Sequence, residues 1–174
     1  RRLSKAFQLE DGVLVKKNGG VLVEGTIEGA TVANLRDLSV ILTRLTPAQA
    51  LVHGVSNLPA TRLMTRKSFA EAGAPAGATA RTNDTFGWAT GLGVLMIDYD
   101  PSAAGTALTR DALVAALMAA APGLAGAGML WWPSASSCIW AGETELRGIK
   151  GQRLYLLVAE ASDIPRAGKA LVQR

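Results

Sequence analysis

The sequence predicts an α+β fold, with a mixed sheet and helices packed on one of its faces. The second half of the chain shows apolar runs of strand length around one well-capped helix, in the order strand, helix, strand, strand, strand. The first half shows a hairpin pattern and a helix of its own. This order of elements is typical of an α+β sheet.

The second half carries the clearest individual elements. Residues 94–97 are all apolar and predict a buried strand. Thr109 is a suitable N-cap for the next helix, which has Asp111 in its first turn and ends at Pro122. Further elements are predicted as strands over residues 128–132, 138–140 and 153–158, and as a helix from Pro165.

The first half predicts a hairpin followed by a helix. Residues 12–17 and 21–24 are short strand-like runs, and residues 18–20 form a turn that tolerates positive φ angles. Apolar residues then recur at helical spacing over residues 32–45, with Thr31 as the N-cap. This half is therefore expected to form a small α/β lobe.

A region rich in Gly, Ala and Pro separates the two halves. Residues 49–55 predict a strand, and residues 71–82 predict a flexible connection. We therefore expect an N-terminal lobe over residues 1–82 and a larger module over residues 83–174.

Composition limits the classes of protein that fit. With 174 residues, 49% of them hydrophobic and 18% charged, the chain is able to bury a sizeable core. Its single cysteine, Cys138, excludes an internal disulfide framework and fits a reducing compartment. The net charge of +4 permits a polyanionic partner without requiring one.

The ends of the chain and its hydropathy predict a cytoplasmic fragment. The sequence lacks an apolar run of about 18 residues, so no membrane partner is expected. It begins without methionine, and its last residues predict a helix that stops midway. We therefore expect a piece of a longer polypeptide, truncated at its C-terminus.

Asp98 and Asp100 are the main candidates for chemistry. Alternate residues of a strand point to the same face and lie roughly 6.5 to 7 Å apart along it, so both carboxylates can converge on one site. Hard oxygen donors of this kind suit Mg²⁺ or Mn²⁺. The alternative is that both are loop-facing acids that cap the following turn.

Three segments resemble the primase domain of phage, plasmid and integrative-element replication proteins, in the archaeo-eukaryotic primase superfamily. They are FGWATGLGVLMIDYDP, MLWWPSASS and GIKGQRLYLLVAEASDIPRAGKALV. The resemblance implies an RRM-like β-α-β-β core as the primase-polymerase catalytic module. It also implies that Asp98 and Asp100, matching the Asp-x-Asp motif of the family, are catalytic metal ligands for Mg²⁺ or Mn²⁺.

The resemblance also implies a set of nucleotide-binding residues. The second motif of the family is a serine-containing turn and a strand that usually ends Ser-x-His, which this chain matches only in part. The only histidine, His53, lies far away in the sequence, and we expect a structural role for it. The implied residues that hold the triphosphate are Ser134, Ser136, Ser137, Lys150, Gln152 and Arg153.

The resemblance also implies a third acidic motif on a later strand, which would complete the metal site. Glu160 and Asp163 are the nearby candidates. Because Asp163 precedes Ile164 and Pro165, it is predicted to be the N-cap of the final helix. We therefore expect the third acid to lie beyond Arg174 and the metal site of these residues to be incomplete.

A single-stranded DNA template needs cationic contacts. Arg62, Arg66, Lys67 and Arg81 lie in or beside the predicted flexible connection and are candidates for phosphate contacts. The alternative is that they are solvated surface charges. The adjacent Trp131 and Trp132 are expected to pack on opposite faces of a strand.

Taken together, these features predict a DNA primase or primase-polymerase domain that uses nucleoside triphosphates and single-stranded DNA, with a possible helicase domain or partner. One alternative is a degenerate primase-like domain that binds nucleic acid or a helicase without catalysis. A haloacid-dehalogenase phosphatase also places Asp-x-Asp after an apolar strand. Pro101 and Ser102 after the second aspartate argue against that class.

Overall fold

The structure is a computed structural model that describes residues 3–17, 22–58, 62–101 and 105–172. The chain has an α+β fold, as the sequence predicts. In the described residues the strands are β1 (Ala6–Glu10), β2 (Val13–Lys17), β3 (Glu24–Thr26), β4 (Val55–Ser56), β5 (Arg62–Met64), β6 (Ala78–Ala80), β7 (Phe86–Gly87), β8 (Gly93–Tyr99), β9 (Met129–Pro133), β10 (Ile139–Ala141), β11 (Thr144–Arg147) and β12 (Gln152–Val158). The helices are α1 (Leu35–Arg44), α2 (Arg66–Glu71), α3 (Arg110–Ala120) and α4 (Ile164–Val172), with short 3-10 helices at Pro122–Leu124 and Ala161–Asp163.

A three-stranded antiparallel sheet in the order β8-β12-β9 forms the centre of the second half. Strand β12 pairs with β8 through Arg153 opposite Asp98, and with β9 through Arg153 opposite Trp132. Leu154, Tyr155 and Leu156 of β12 are all 2% exposed or less. Since successive side chains of a strand point to opposite faces, both faces of this sheet must be covered.

Helices cover both faces, which corrects the expectation of helices on one face alone. Leu113 and Leu117 of α3 pack on Leu154 and Leu156. On the other face, α1 packs on Tyr155. Three consecutive buried residues in β12 require this arrangement, because a sheet with one solvated face shows alternating apolar and polar residues. Trp131 packs with the α3 face and Trp132 with the α1 face, as predicted.

Helix α1 begins three residues later than the pattern predicts. The structure starts it at Leu35, with Asn34 and not Thr31 as the N-cap. The Asn34 side chain accepts a hydrogen bond from the backbone of Asp37 at 3.0 Å, and the Asp37 carboxylate accepts one from the backbone of Ala33 at 3.0 Å. This reciprocal capping satisfies two free N–H groups and fixes the start of the helix.

The predicted hairpin pairs residues 12–17 with the wrong strand, residues 21–24. Strand β2 pairs with β1, and the turn between them is Asp11 and Gly12, with φ angles of 49° and 79°. An Asp-Gly pair with two positive φ angles suits the tight turn that antiparallel strands favour. The predicted turn at 18–20 lies outside the described residues, and Glu24 begins β3, which pairs with β5.

The region predicted to be a flexible connection contains a buried strand. Strand β6 lies parallel to β5 in the sheet β3-β5-β6, and α2 connects the two. Ala78, Thr79 and Ala80 are 8%, 0% and 4% exposed. Their small side chains resemble a linker in composition, but they allow close packing inside the sheet. Of the strand predicted over residues 49–55, only Val55 belongs to a strand, which is β4 and pairs with β7.

No helix among the described residues has both the length and the hydropathy needed to cross a bilayer.

Gly93 at the start of β8 provides a test of the packing between the sheet and the last helices. A Cβ atom at Gly93 would overlap the Cβ of Ala161, which is buried against Leu95 and Ile164. We expect Gly93→Ala to lower the free energy of unfolding by about 1–3 kcal/mol, as overpacked cores do. Urea denaturation measures it, and Gly123→Ala, where a Cβ meets open space, is the control. Equal midpoints for the two variants would contradict the packing described here.

Candidate active site

Asp98 lies near the end of β8, where the central sheet meets solvent. It stands opposite Arg153 of β12, and the Arg153 Nε lies 3.0 Å from the Asp98 Oδ1. The side chains of Arg153 and Asp98 are 36% and 43% exposed. An ion pair this exposed contributes only about 0–1 kcal/mol. Asp98 is therefore held in place but remains available to a ligand.

Asp100 lies at the same edge of the sheet, over Gly151. A Cβ atom built on Gly151 would be 2.5 Å from the Asp100 Oδ1 and 2.7 Å from the Ser134 Oγ. Only a residue without a side chain leaves room for both groups at this position. The structure thus brings Asp98, Asp100 and Ser134 to one edge of the central sheet, beside Arg153.

The predicted serines form the turn that supports this edge. Ser134, Ser136 and Ser137 are buried, at 6–8% exposure. The Ser136 Oγ lies 2.8 Å from the Ser134 Oγ. Ser137 donates a hydrogen bond to the Gly151 carbonyl at 2.6 Å and accepts one from the Lys150 backbone at 3.0 Å. The Ser137 hydroxyl therefore fastens the turn to the segment before β12, the hydroxyls of Ser134 and Ser136 bond within the turn, and the Lys150 residue is exposed.

Gln152, also predicted to bind nucleotide, lies away from the site. It is 0% exposed and belongs to the α3 face of the sheet. Its side-chain oxygen accepts a hydrogen bond from the Trp131 indole at 2.8 Å, and its amide donates to the Leu108 carbonyl at 2.7 Å. Because both ends of the amide are satisfied inside the protein, Gln152 has a structural role here and Arg153 alone reaches the site.

His53 joins the site from the first half of the chain. It is half-buried, and burial lowers its pKa from the usual 6.5. The positive charges of Arg153 and Arg81 lower this pKa further, while Asp98 opposes them. His53 therefore lies within electrostatic reach of the carboxylate edge, 45 residues and more away in sequence. The sequence offers no spacing or motif that would have indicated this position.

The pairing of β4 with β7 positions His53. Gly54 follows it with a φ of +81°, and a Cβ there would lie 2.9 Å from the Gly87 carbonyl oxygen. Val55 and Ser56 then pair with Gly87 and Phe86. The positive φ and the close backbone approach both favour glycine at position 54, which is the local reason why the chain turns towards β7 after the histidine.

The four predicted template-binding cations separate into two groups. Arg62 forms an ion pair with Glu24, and Lys67 lies 3.8 Å from Glu71 on α2. Arg66 and Arg81 instead line one cavity of about 330 Å³. Arg81 is also the residue whose charge acts on His53. The site is thus bordered by cations from both halves of the chain.

Glu160 and Asp163 lie at the opposite end of the sheet, as expected. Val158 pairs with Gly93, five residues from the Arg153 and Asp98 pair, or about 17 Å along the strand. Hydrogen bonds from Ser162 and from the Gly91 backbone hold the pKa of Glu160 below its usual value. Neither carboxylate is a third metal ligand beside Asp98.

Asp163 directly precedes Ile164, the first residue of α4, which is the position predicted for its N-cap. Its carboxylate accepts two hydrogen bonds from the Arg166 guanidinium, both at 2.6 Å, and these lower its pKa. Glu160 caps the preceding 3-10 helix, since it accepts from the Ser162 backbone at the start of that helix.

A divalent metal would depend on the two aspartates of the sheet edge. Within the described ranges, no three His, Cys, Asp or Glu side chains are grouped so as to hold a metal. Mg²⁺ is usually bound through one or two carboxylates together with water and substrate phosphates. Asp98 and Asp100 fit that pattern, in which water and a phosphate-bearing ligand would supply the remaining oxygens.

The role of Gln152 can be tested by replacing its amide. Gln152→Met leaves the Trp131 N–H and the Leu108 carbonyl without partners, so we expect the free energy of unfolding to fall by about 1–3 kcal/mol. Affinity for ATP should stay unchanged. Gln8→Met, at an exposed position of β1, is the control for urea denaturation. Weaker ATP binding with unchanged stability would instead place Gln152 in the nucleotide site.

The lowered pKa of His53 predicts how stability depends on pH. Below about pH 6.5 the unfolded chain binds a proton on this imidazole that the folded chain resists, because its folded pKa is lower. The free energy of unfolding should therefore decrease as the pH falls from 7.5 to 5.5. Since the chain has one histidine, His53→Asn should flatten this dependence in urea titrations. An equal slope in both proteins would contradict the burial of His53.

None of the known protein-family models matches the chain, and no match is found among curated proteins or solved structures. Functional proposals therefore depend on the residues of the sheet edge and on the resemblance of the three sequence segments.

Proposed function

We propose that the chain is a DNA primase or primase-polymerase domain of a mobile-element replication protein. It would join nucleotides from nucleoside triphosphates on a single-stranded DNA template. The observation that carries this proposal is the sheet edge itself. There Asp98 pairs with Arg153, Asp100 lies over Gly151, and His53 feels the charges of Asp98, Arg153 and Arg81. Paired carboxylates bordered by cations suit a substrate that consists of a divalent metal and a triphosphate.

The arrangement of the central sheet supports the RRM-like part of this proposal. Strand β8, helix α3, strand β9 and strand β12 follow one another in a β-α-β-β order, interrupted by the β10-β11 hairpin. Strand β12 lies between β8 and β9 and antiparallel to both. Asp98 and Asp100 then lie at the end of β8, the first strand of the core, beside the start of β12, its third strand.

Asp98 and Asp100 would hold Mg²⁺ or Mn²⁺ in this reaction. In the two-metal nucleotidyl transfer that the resemblance implies, one cation held there would activate the attacking hydroxyl and a second would neutralise charge on the leaving pyrophosphate. Arg153 forms an ion pair with Asp98, and its planar guanidinium also suits bidentate contact with phosphate. Since the exposed pair contributes only about 0–1 kcal/mol, Arg153 can exchange the carboxylate for a triphosphate at little energetic cost.

His53 would supply the imidazole that the second motif of this chain lacks. Because its pKa is lowered, the ring is neutral near pH 7. A neutral imidazole can donate one hydrogen bond and accept another, so it can orient a phosphate oxygen without adding a fixed charge. Arg153 and Arg81 provide the positive charge that stabilises the charge developing as pyrophosphate leaves.

A non-catalytic primase-like domain is the second candidate. The missing histidine of the second motif favours it, since the only histidine of the chain, His53, lies far from that motif in the sequence. The described ranges also contain no third acid at this edge. Such a domain would bind nucleic acid or a helicase through the same cationic surface, and nucleotide binding would not depend on divalent metal.

Primer synthesis on single-stranded DNA tests the catalytic proposal. With Mg²⁺ or Mn²⁺ and labelled nucleotides, we expect oligonucleotide products from the natural polypeptide that contains these residues. Asp98→Asn combined with Asp100→Asn should reduce them by about 100-fold or more, since even partners outside the ligand set typically change metal affinity or activity 10–100-fold. Asp111→Asn is the matched control, because Asp111 is an exposed aspartate on α3, which covers the opposite face.

The outcomes separate the two candidates. Products that disappear in the double variant and persist in the control support nucleotidyl transfer at this edge. If no products form but DNA binding is retained and independent of metal, the non-catalytic domain is supported. Equal synthesis by the double variant and the control would contradict any role of the two aspartates in catalysis.

A further inference from the structure

A cavity lined by residues of the first half of the chain has the size and lining of a ligand site. Its volume of about 330 Å³ falls in the range of about 300–1,000 Å³ that small-molecule pockets occupy. Its walls include Leu51 and Val52, just before His53, and Leu63 and Met64 of β5. Apolar walls with a few charged groups are typical of such pockets.

The cavity wall contains two guanidinium groups. Arg66 and Arg81 both line the cavity, and both residues are exposed. Among the described residues neither forms an ion pair, whereas Arg62 pairs with Glu24 and Lys67 with Glu71. Of these four basic residues, the two at the cavity are therefore the ones without an ion-pair partner among the described residues.

The cavity is connected electrostatically to the candidate active site. Arg81 acts on His53, and so do Arg153 and Asp98. A ligand whose apolar part enters the cavity would thus place an attached anionic group near Arg81, His53 and the carboxylate edge. A nucleoside triphosphate has this form, because a flat aromatic base is joined through the sugar to three phosphates.

We propose that this cavity receives the base of the incoming nucleoside triphosphate, with Arg66 and Arg81 binding its phosphates. These two arginines then serve the nucleotide and not the template strand. The inference rests on the proposed nucleotidyl transfer, but it concerns binding alone. Guanidinium groups suit phosphates because they donate several hydrogen bonds in a fixed plane.

Calorimetric titration with Mg²⁺-ATP in the absence of template tests the two arginines. Arg66→Gln and Arg81→Gln should each weaken binding by about 10-fold or more, because hydrogen bonds between charged groups are the stronger ones. Arg62→Gln and Lys67→Gln are matched controls and should change the dissociation constant less than about twofold, since neither side chain lines the cavity.

Ala50→Phe tests the cavity separately from the charges. Ala50 is an exposed residue of the cavity wall, so a larger side chain there should leave the fold intact. The phenyl ring would occupy space needed by the base. We expect weaker binding of ATP and of adenosine, with unchanged binding of inorganic tripolyphosphate, which has no base.

Three results would overturn the proposal. The first is equal loss of ATP affinity in the two arginine variants and in their controls. The second is loss of affinity for a single-stranded 20-nucleotide DNA, with ATP binding unchanged, which would return these arginines to the template. The third is absence of ATP binding to the unaltered chain. If primer synthesis fails while ATP binding responds as expected, only the catalytic proposal is contradicted.

Discussion

Burial of β12 on both faces fixes the register on which the candidate site depends. Leu154 and Leu156 fill the α3 face and Tyr155 fills the α1 face, all at 2% exposure or less. A slip of one residue would exchange the two faces. It would move Arg153 into the α3 core. It would also move Gln152, with its two buried hydrogen bonds, to the face of the sheet that carries Asp98. The apolar core therefore decides which of two adjacent polar residues faces Asp98.

The same edge is completed by groups that come from distant parts of the chain. Gly151 leaves space for Asp100 and Ser134 to approach it, and buried serines fasten the neighbouring turn. His53 arrives from the first half through the pairing of β4 and β7. The half-buried imidazole of His53 feels the charges of the exposed Arg153–Asp98 ion pair and of Arg81.

The pairing of surface charges distinguishes structural cations from available ones. Four basic residues between positions 62 and 81 look equivalent in sequence, yet two of them have carboxylate partners and two line a cavity. Exposed ion pairs contribute little to stability, but they reduce the charge that a side chain presents to a ligand. On this distinction, Arg66 and Arg81 at the cavity are assigned to the nucleotide of the proposed reaction. The sequence alone suggested that they contact DNA.

Local patterns in the sequence determined the α+β class, the strand that ends in Asp98, the Thr109 cap of α3 and the existence of α1. These features depend on side-chain periodicity and capping over a few residues. Only the tertiary structure decided that β1 is the partner of β2, that the alanine-rich segment holds a buried strand, that Gln152 faces the core, and that His53 reaches the active edge. Each of these depends on contacts between residues far apart in sequence, for which neither spacing nor composition carries a signal.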